Sequence, residues 1–263
     1  MLHSCHGMIG GAVPQSISGE SSSRAAVFAP LDATGKAEAV EQRLSDAIML
    51  GVLSSGERLP TEVELGKYFN VATVTAREAL ESLRSSGLVQ TRRGRGGGSF
   101  VRTYSGVQAD VLDDRLRATS RVELRDLAAH YTALAAMAAE LAVDRSSDDD
   151  IDTLTALVSS ADISSVGLAR RAENNFRLEV AALSQSARLV NEHVRLQAEF
   201  GPLLWLNLRV AENRIHSQAH HGAVVEAIAA GDHDGARRST IAHLNEALEW
   251  LIETKSTLEK EQP

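Results

Sequence analysis

The chain has 263 residues, 43% of them hydrophobic and only 4% aromatic, with a net charge of −8. That length allows two domains with a sizeable core. No apolar run approaches the roughly 20 residues that span a bilayer, and the first 25 residues lack the basic start and apolar stretch of a secretory signal. The lone Cys5 excludes an internal disulfide and fits a reducing cytoplasm.

The charge is unevenly spread. Residues 36–104 carry ten Lys/Arg against eight Asp/Glu, residues 105–263 carry 16 against 25, and the stretch 84–104 holds five Arg and no acid. An acidic body repels a polyanion, so nucleic-acid contact is expected at the N-terminal end alone.

In chain order, residues 1–35 show Gly10-Gly11, Pro14, Ser21 to Ser23 and Pro30 with no periodic apolar face, and read as a disordered tail. Val40, Leu44 and Ile48 recur every four residues and predict a helix over about 36–50, stopped by Gly51. Pro60, Thr61 and Glu64 form the signature of a capping box, opening a short helix that ends near Phe69-Asn70. A third helix is expected from Ala72–Thr73 to Ser85, with Ala76, Ala79, Leu80 and Leu83 on one face and Gly87 as the break. Two short helices joined by a tight turn make a helix-turn-helix. Beyond Gly87 the pattern changes to two strands, 88–91 and 99–102, around Arg92-Arg93-Gly94-Arg95-Gly96-Gly97-Gly98. This is a β-hairpin with a basic tip, the wing of a winged helix.

Residues 105–120 read as a polar connector with a short helix. Residues 121–258 read as helical throughout, over about 121–145, 147–160, 166–183, 187–213, 217–230 and 233–256. Gly231-Asp232 is a stop followed by a cap, so the last two helices form an antiparallel hairpin. The expected fold is mainly α. It comprises a winged helix-turn-helix of three helices plus a hairpin over 36–104, then an antiparallel all-α bundle of six to seven helices over 121–258. The lone histidines His193, His216, His220 and His233 read as surface residues, and Met137 and Trp205 as core.

The segments GERLPTEVEL, VATVTAREAL and SSGLVQTRRGRGGGSFV, in that order and spacing, resemble the DNA-binding domain of the GntR family of bacterial regulators. AAELAVDRSSDDDIDTL, ENNFRLEVAALSQSARLV and HHGAVVEAIAAGDHDGARRSTIAHL resemble the ligand-sensing FCD domain of its FadR subfamily. The resemblance covers about 36–255. It implies a cytoplasmic homodimer that binds double-stranded operator DNA, most often as a repressor, and answers a small carboxylate or acyl metabolite. Arg77 matches the family's DNA-contacting arginine on the recognition helix. Its structural alternative is an i,i+4 ion pair with Glu81. Thr73 and Thr75 lie at the start of that helix, Thr61 and Lys67 are placed for phosphates, and Arg92, Arg93, Gly94 and Arg95 form the wing tip. Ala72-Thr73 and Val63 stand where relatives carry Ser/Thr-Arg and Arg, which implies a different preferred operator.

His221 lies ten residues before Gly231 and His243 eleven after Asp232. In an antiparallel hairpin both sit about 15 Å from the turn and converge if they share a side. In the subfamily two His at this spacing join an Asp and a His, four apart on an earlier helix, to hold a divalent metal. Here those positions are Glu173 and Arg177, and a guanidinium cannot ligate. Three readings stay open. One is an anion or acyl pocket built from Arg177, His130, Tyr131, His221 and His243. Another is a three-ligand site of Glu173, His221 and His243 for zinc, nickel or manganese. In the last, these are packed or solvated residues that bind nothing. No nucleophile or base motif accompanies the histidines, so an enzyme is not expected. The competing functions are a metal-dependent enzyme and an architectural DNA binder with a degenerate sensor.

Overall fold

The computed structural model describes residues 24, 27–31, 37–102 and 109–260. Most of the residues read as a disordered tail, Cys5 among them, lie outside the described residues, as do 103–108, which include 105–108 of the connector. No helix of the described residues is long and apolar enough to cross a membrane.

Among the elements of the described residues, three helices come first from residue 37 on: α1 (Ala37–Leu50), α2 (Glu62–Phe69) and α3 (Thr73–Ser85). Thr61 caps α2 in a full capping box, its hydroxyl accepting from the Glu64 amide while its own amide donates to the Glu64 carboxylate. Asn70, in the left-handed region at φ 55°, ends α2. Gly66 lets the turn close, because a Cβ there would stand 3.0 Å from the Val71 carbonyl. The wing follows as antiparallel β1 (Val89–Arg92) and β2 (Gly98–Val101), with Val89 opposite Val101 and Arg92 opposite Gly98. Leu44, Leu65, Phe69, Leu80 and Leu83 fill this domain's core.

That core also corrects the tail. Val27 is fully buried in it, Phe28 packs against Tyr68 and Phe69, and the Leu31 amide donates to the Phe69 carbonyl at 3.2 Å. A cluster of only three apolar residues was too short to register as a period, yet it covers the end of α2.

Seven helices form the second body: α4 (Ala109–Ala118), α5 (Arg121–Arg145), α6 (Asp148–Ser159), α7 (Val166–Leu183), α8 (Ala187–Leu204), α9 (Ala211–Ala229) and α10 (His233–Lys260). The connector is therefore helical from Ala109, and α4 belongs to the bundle. Leu112 and Leu116 are buried against α5, α8 and α10, and Lys255 donates to the Leu116 and Arg117 carbonyls. The expected helix over 187–213 is broken. Pro202, without an amide proton, falls in the last turn of α8; a short 3-10 turn (Asn207–Arg209) follows, and extended Val210 precedes α9. The α9–α10 hairpin turns at Gly231, φ 71°, and Asp232 caps α10 by accepting from the Gly235 amide at 2.8 Å. Trp205 is core as expected, but Met137 is exposed: α5 turns its small Ala135, Ala136, Ala138 and Ala139 inward for close helix packing, and Met137 falls on the other side.

The end of α1 is seated in the bundle. Leu50 packs with Ala169, Leu178, Val190, Val194 and Trp205 in one cluster, so the winged helix and the bundle share apolar core.

Candidate nucleic-acid interface and sensor site

On α3 the buried residues Ala76, Ala79, Leu80 and Leu83 leave Thr73, Val74 and Arg77 on the outer side, with Thr75 half-buried at its edge. Arg77 does not pair with Glu81. Its Nε donates to Glu62 Oε2 at 2.9 Å, tying the recognition helix to the first turn of α2. Glu62 lies in the acid-favouring first turn of α2, which makes it the better-placed anchor. Among the described residues only Nε of Arg77 is engaged, so its two terminal amino groups remain for a base or a phosphate. Thr61 is exposed, but its hydroxyl donates to Glu64 Oε2 at 2.8 Å and serves the cap first. Lys67 is exposed on α2. Val63 and Val74, each the second residue of its helix, are more than half exposed. Sequence reasoning overlooked Val74, although an outward-facing valine at a recognition-helix start is a readable signal.

The wing carries Arg92, Arg93 and Arg95, all exposed. Arg92 lies over the Phe100 ring at 4.3 Å, which stiffens the hairpin below its tip. Gly94 turns at φ 95°, a conformation that a side chain would strain.

In the bundle, one carboxylate gathers the polar side chains. Glu173 on α7 is buried, and its Oε1 accepts from Arg177 Nε at 2.5 Å, one turn along the same helix. Arg177 Nη2 contacts the same oxygen. His243 Nε2 on α10 lies 3.0 Å from Oε1. Ser217 on α9 donates to Oε2. His221 Nε2, also on α9, stands 3.2 Å from Oε2, near enough for attraction but off line for a hydrogen bond. The two imidazoles expected to converge do so, with ring centroids 5.3 Å apart, and Phe176 stacks on His221 at 4.0 Å.

Tyr131 on α5 is fully buried beside this group, with the Arg177 guanidinium carbon 5.7 Å from its ring centre. His130, its neighbour in sequence, points the other way. Its ring is about half exposed and 4.0 Å from Glu192, so it is not part of the site. Adjacent residues on a helix diverge by about 100°, and burying Tyr131 exposes His130. His193 corrects the surface reading in the opposite sense. It is 1% exposed, 5.2 Å ring to ring from Tyr131, and neither of its nitrogens has a partner among the described residues. Its place among Val190, Val194 and Gln197 on the inner face of α8 was the available signal. His216 is exposed as expected, whereas His233 and His220 are half-buried, His233 lying 3.1 Å from Asp144 and His220 bonding Glu246 at 2.9 Å.

The charges follow from this packing. Burial pushes the Glu173 carboxyl up, but Arg177, His221 and His243 outweigh burial and hold it well below the usual carboxylate range. Burial pushes the Tyr131 phenol up to about 12. Burial lowers His243 to about 4 despite Glu173, and burial with the Arg177 charge lowers His193 to about 3. Both imidazoles are neutral in the fold.

Glu173, His221 and His243 each offer a donor atom, and these atoms lie within 4.8 Å of one another. The donor types suit a divalent transition metal. Arg177 does not: its guanidinium already holds Glu173, and a dication about 4 Å from it meets repulsion on the order of 8 kcal/mol at an effective dielectric of 20. Three ligands are present, and the fourth position is filled by a cation. Two small cavities flank Arg177. One, of about 10 Å³, is lined by Tyr131, Glu173, Asn174, Gln197 and His243; the other, of about 20 Å³, by Phe176, His193, His221, Thr240 and His243. Each has room for about one water.

The profile of the bacterial regulatory proteins, gntR family, matches residues 36–98, and that of the FCD domain matches residues 126–246. The chain is 36% identical to an HTH-type transcriptional regulator named RmpR from Mycobacterium gastri, over 88% of this chain and 86% of that protein. It is 28% identical to the HTH-type transcriptional repressor NanR of Enterobacter sp. (strain 638), over 82% and 85%. Among solved structures, E. coli McbR/YncC superposes with a TM-score of 0.51 at 20% identity, covering 83% of this chain and 97% of that one, which supports the fold.

Burial of His193 should make the bundle acid-sensitive. A base whose folded pKa is depressed contributes its stability above the unfolded value, near 6.5, and loses it as pH falls toward the folded value, about 3. Urea midpoints should fall over that window by the equivalent of a few kcal/mol, and a His193→Leu variant should show a visibly flatter profile. Parallel profiles for the two proteins would remove His193 as a cause.

Proposed function

This chain belongs to the GntR family of bacterial regulatory proteins, with an FCD domain behind its winged helix, and from that footing we propose a homodimeric repressor whose effector is a small oxyanion read by Arg177. That it is a DNA-binding transcriptional regulator with a ligand-sensing domain follows from the family itself. Repression is carried over from relatives named repressors. The dimer rests on physical need: one winged helix touches few bases, and specific binding requires two half-sites related by symmetry.

The observation behind the anion reading is the guanidinium itself. Arg177 is buried where the metal donors converge, with the Tyr131 hydroxyl and both His193 nitrogens nearby and without a well-aligned hydrogen bond among the described residues. A guanidinium fork matches a carboxylate or phosphate in shape and charge. A buried hydroxyl and an imidazole beside it supply further hydrogen bonds. An effector larger than a water must open the cluster, so binding selects a rearranged bundle and shifts operator affinity by its differential affinity for the two states. The convergence of Glu173, His221 and His243 favours a second reading, a three-ligand metal site reached when Arg177 swings away.

Elemental analysis of untagged protein separates the two. The anion reading expects less than a tenth of a metal per chain in the wild type, even after adding zinc back, and about one per chain in Arg177→His, which completes a four-ligand set. About one zinc, nickel or manganese per wild-type chain would establish the metal reading instead.

At the DNA end, Arg77→Ala should weaken the complex with an operator selected from random sequence by roughly ten- to a hundredfold, with the dimer intact in sedimentation. Unchanged gel shifts would remove Arg77 from recognition.

Val63 and Val74 offer methyl groups where a polar reader would hydrogen-bond, and the apolar partner in the major groove is the thymine methyl. Replacing thymine by deoxyuridine at one selected half-site position should weaken wild-type binding several-fold and leave Val74→Ala indifferent. Equal losses in both proteins would discard Val74 as a reader.

A further inference from the structure

Asn174 follows Glu173 on α7 and is 1% exposed. Its side-chain amide bridges the bundle and the end of α1 that is seated in it. Nδ2 donates to the Leu50 carbonyl at 2.8 Å, and Oδ1 accepts from Trp205 Nε1 and from Gln197 Nε2, each at 3.1 Å. An indole nitrogen can only donate, so Trp205 fixes which end of the amide is oxygen, and the amino end must face Leu50.

The Leu50 carbonyl is the last of α1, one of the four that a helix leaves without a partner. Leu50 is itself buried, so water does not readily serve that oxygen. Asn174 thus supplies, from the sensor, the closing hydrogen bond of the first helix of the DNA-binding domain. The same residue lines the small cavity that holds Tyr131, Glu173, Arg177 and Gln197, and the Gln197 Oε1 in that group has no partner among the described residues.

We infer that Asn174 is the positioning residue that couples the Glu173–Arg177 cluster to the winged helix, by fixing the end of α1 at Leu50 according to the state of that cluster. The inference rests on reading the cluster as the sensor. When Arg177 leaves Glu173, the turn of α7 that carries Glu173, Asn174 and Arg177 loses its internal clamp. Asn174 is the side chain of that turn bonded to a backbone group of the other domain. A shift there moves α1, and with it α3, which packs on α1, and α2, which packs on α3. In a dimer this changes the spacing of two recognition helices, to which paired half-sites are sensitive.

The test is a double-mutant cycle on operator affinity in the full-length protein, using an operator selected by the wild type. Arg177→Ala in the wild-type background should change the dissociation constant at least five-fold. In the Asn174→Ala background the same substitution should change it less than two-fold. Asn174→Asp provides the second variant: it keeps an acceptor for Trp205 and Gln197 and loses the donor to Leu50, and it should uncouple as well. A purely structural asparagine would give additive effects, and additivity in both backgrounds overturns the coupling, as does an Arg177→Ala without effect on operator binding. A thermal-shift series with acetate, lactate and inorganic phosphate, on wild type and Asn174→Asp, separates this from the anion reading. Shifts retained with an additive cycle sink the coupling alone, whereas a coupled cycle with no shift from any of the three sinks those anions as effectors and leaves the coupling standing.

Discussion

A buried carboxylate must be answered by charge and hydrogen bonds, and the sensor half of this protein is arranged around that requirement at Glu173. Arg177 answers from the same helix, His221 and Ser217 from α9, and His243 from α10. Three helices are thereby held at one level by polar contacts inside an otherwise apolar bundle. Removing Glu173 leaves the Arg177 guanidinium buried without its carboxylate, whereas removing one of its partners leaves Glu173 only partly compensated. Non-directional packing of Leu and Ala would tolerate sliding of α9 and α10 along α7, whereas these contacts specify one register.

The DNA end follows a parallel logic with exposed groups. Arg77 and Glu62 link the two helices of the reading head, at a surface where an ion pair contributes little stability but fixes a side chain in place. The capping box at Thr61 and the tight turn at Gly66 set the start and end of α2, so the orientation of α3 is determined before DNA arrives. The net acidity of the bundle and the basic wing then confine a polyanion to one end of the molecule.

Much of this was legible in the sequence because it is local. Capping signals, helical periods and the glycine-rich hairpin have fixed spacing, so the winged helix emerged with its elements within a residue or so. His221 and His243 were legible because counting from Gly231 along two helices is still one-dimensional geometry. What failed was long-range or too short to be periodic. His193 shares its period with Val190, Val194 and Gln197, but what it packs against, Tyr131 and Arg177, lies on other helices and no local pattern shows it. His130 and Tyr131 could not be separated without knowing which side of α5 faces α8. The break at Pro202 was available from chemistry but was overridden by a continuous apolar pattern. Nothing in the local sequence of Asn174 announces that its amide meets a carbonyl 124 residues earlier.

A buried ion pair stabilises a fold only weakly relative to apolar packing, yet breaking it one-sidedly is costly. That combination suits a sensor. If an anion takes Arg177, Glu173 is not left alone, because Ser217, His221 and His243 still face it. Arg177 in turn keeps an anionic partner. Both states are partly satisfied, so their free energies differ by the modest amount that the binding preference of a small ligand can supply. With a metal in place of Arg177, the carboxylate would be held by a bond that no weakly binding metabolite displaces, and the effector would have to add to the cluster. With the guanidinium it would have to compete within it, and under the proposed coupling that competition would be what moves α7.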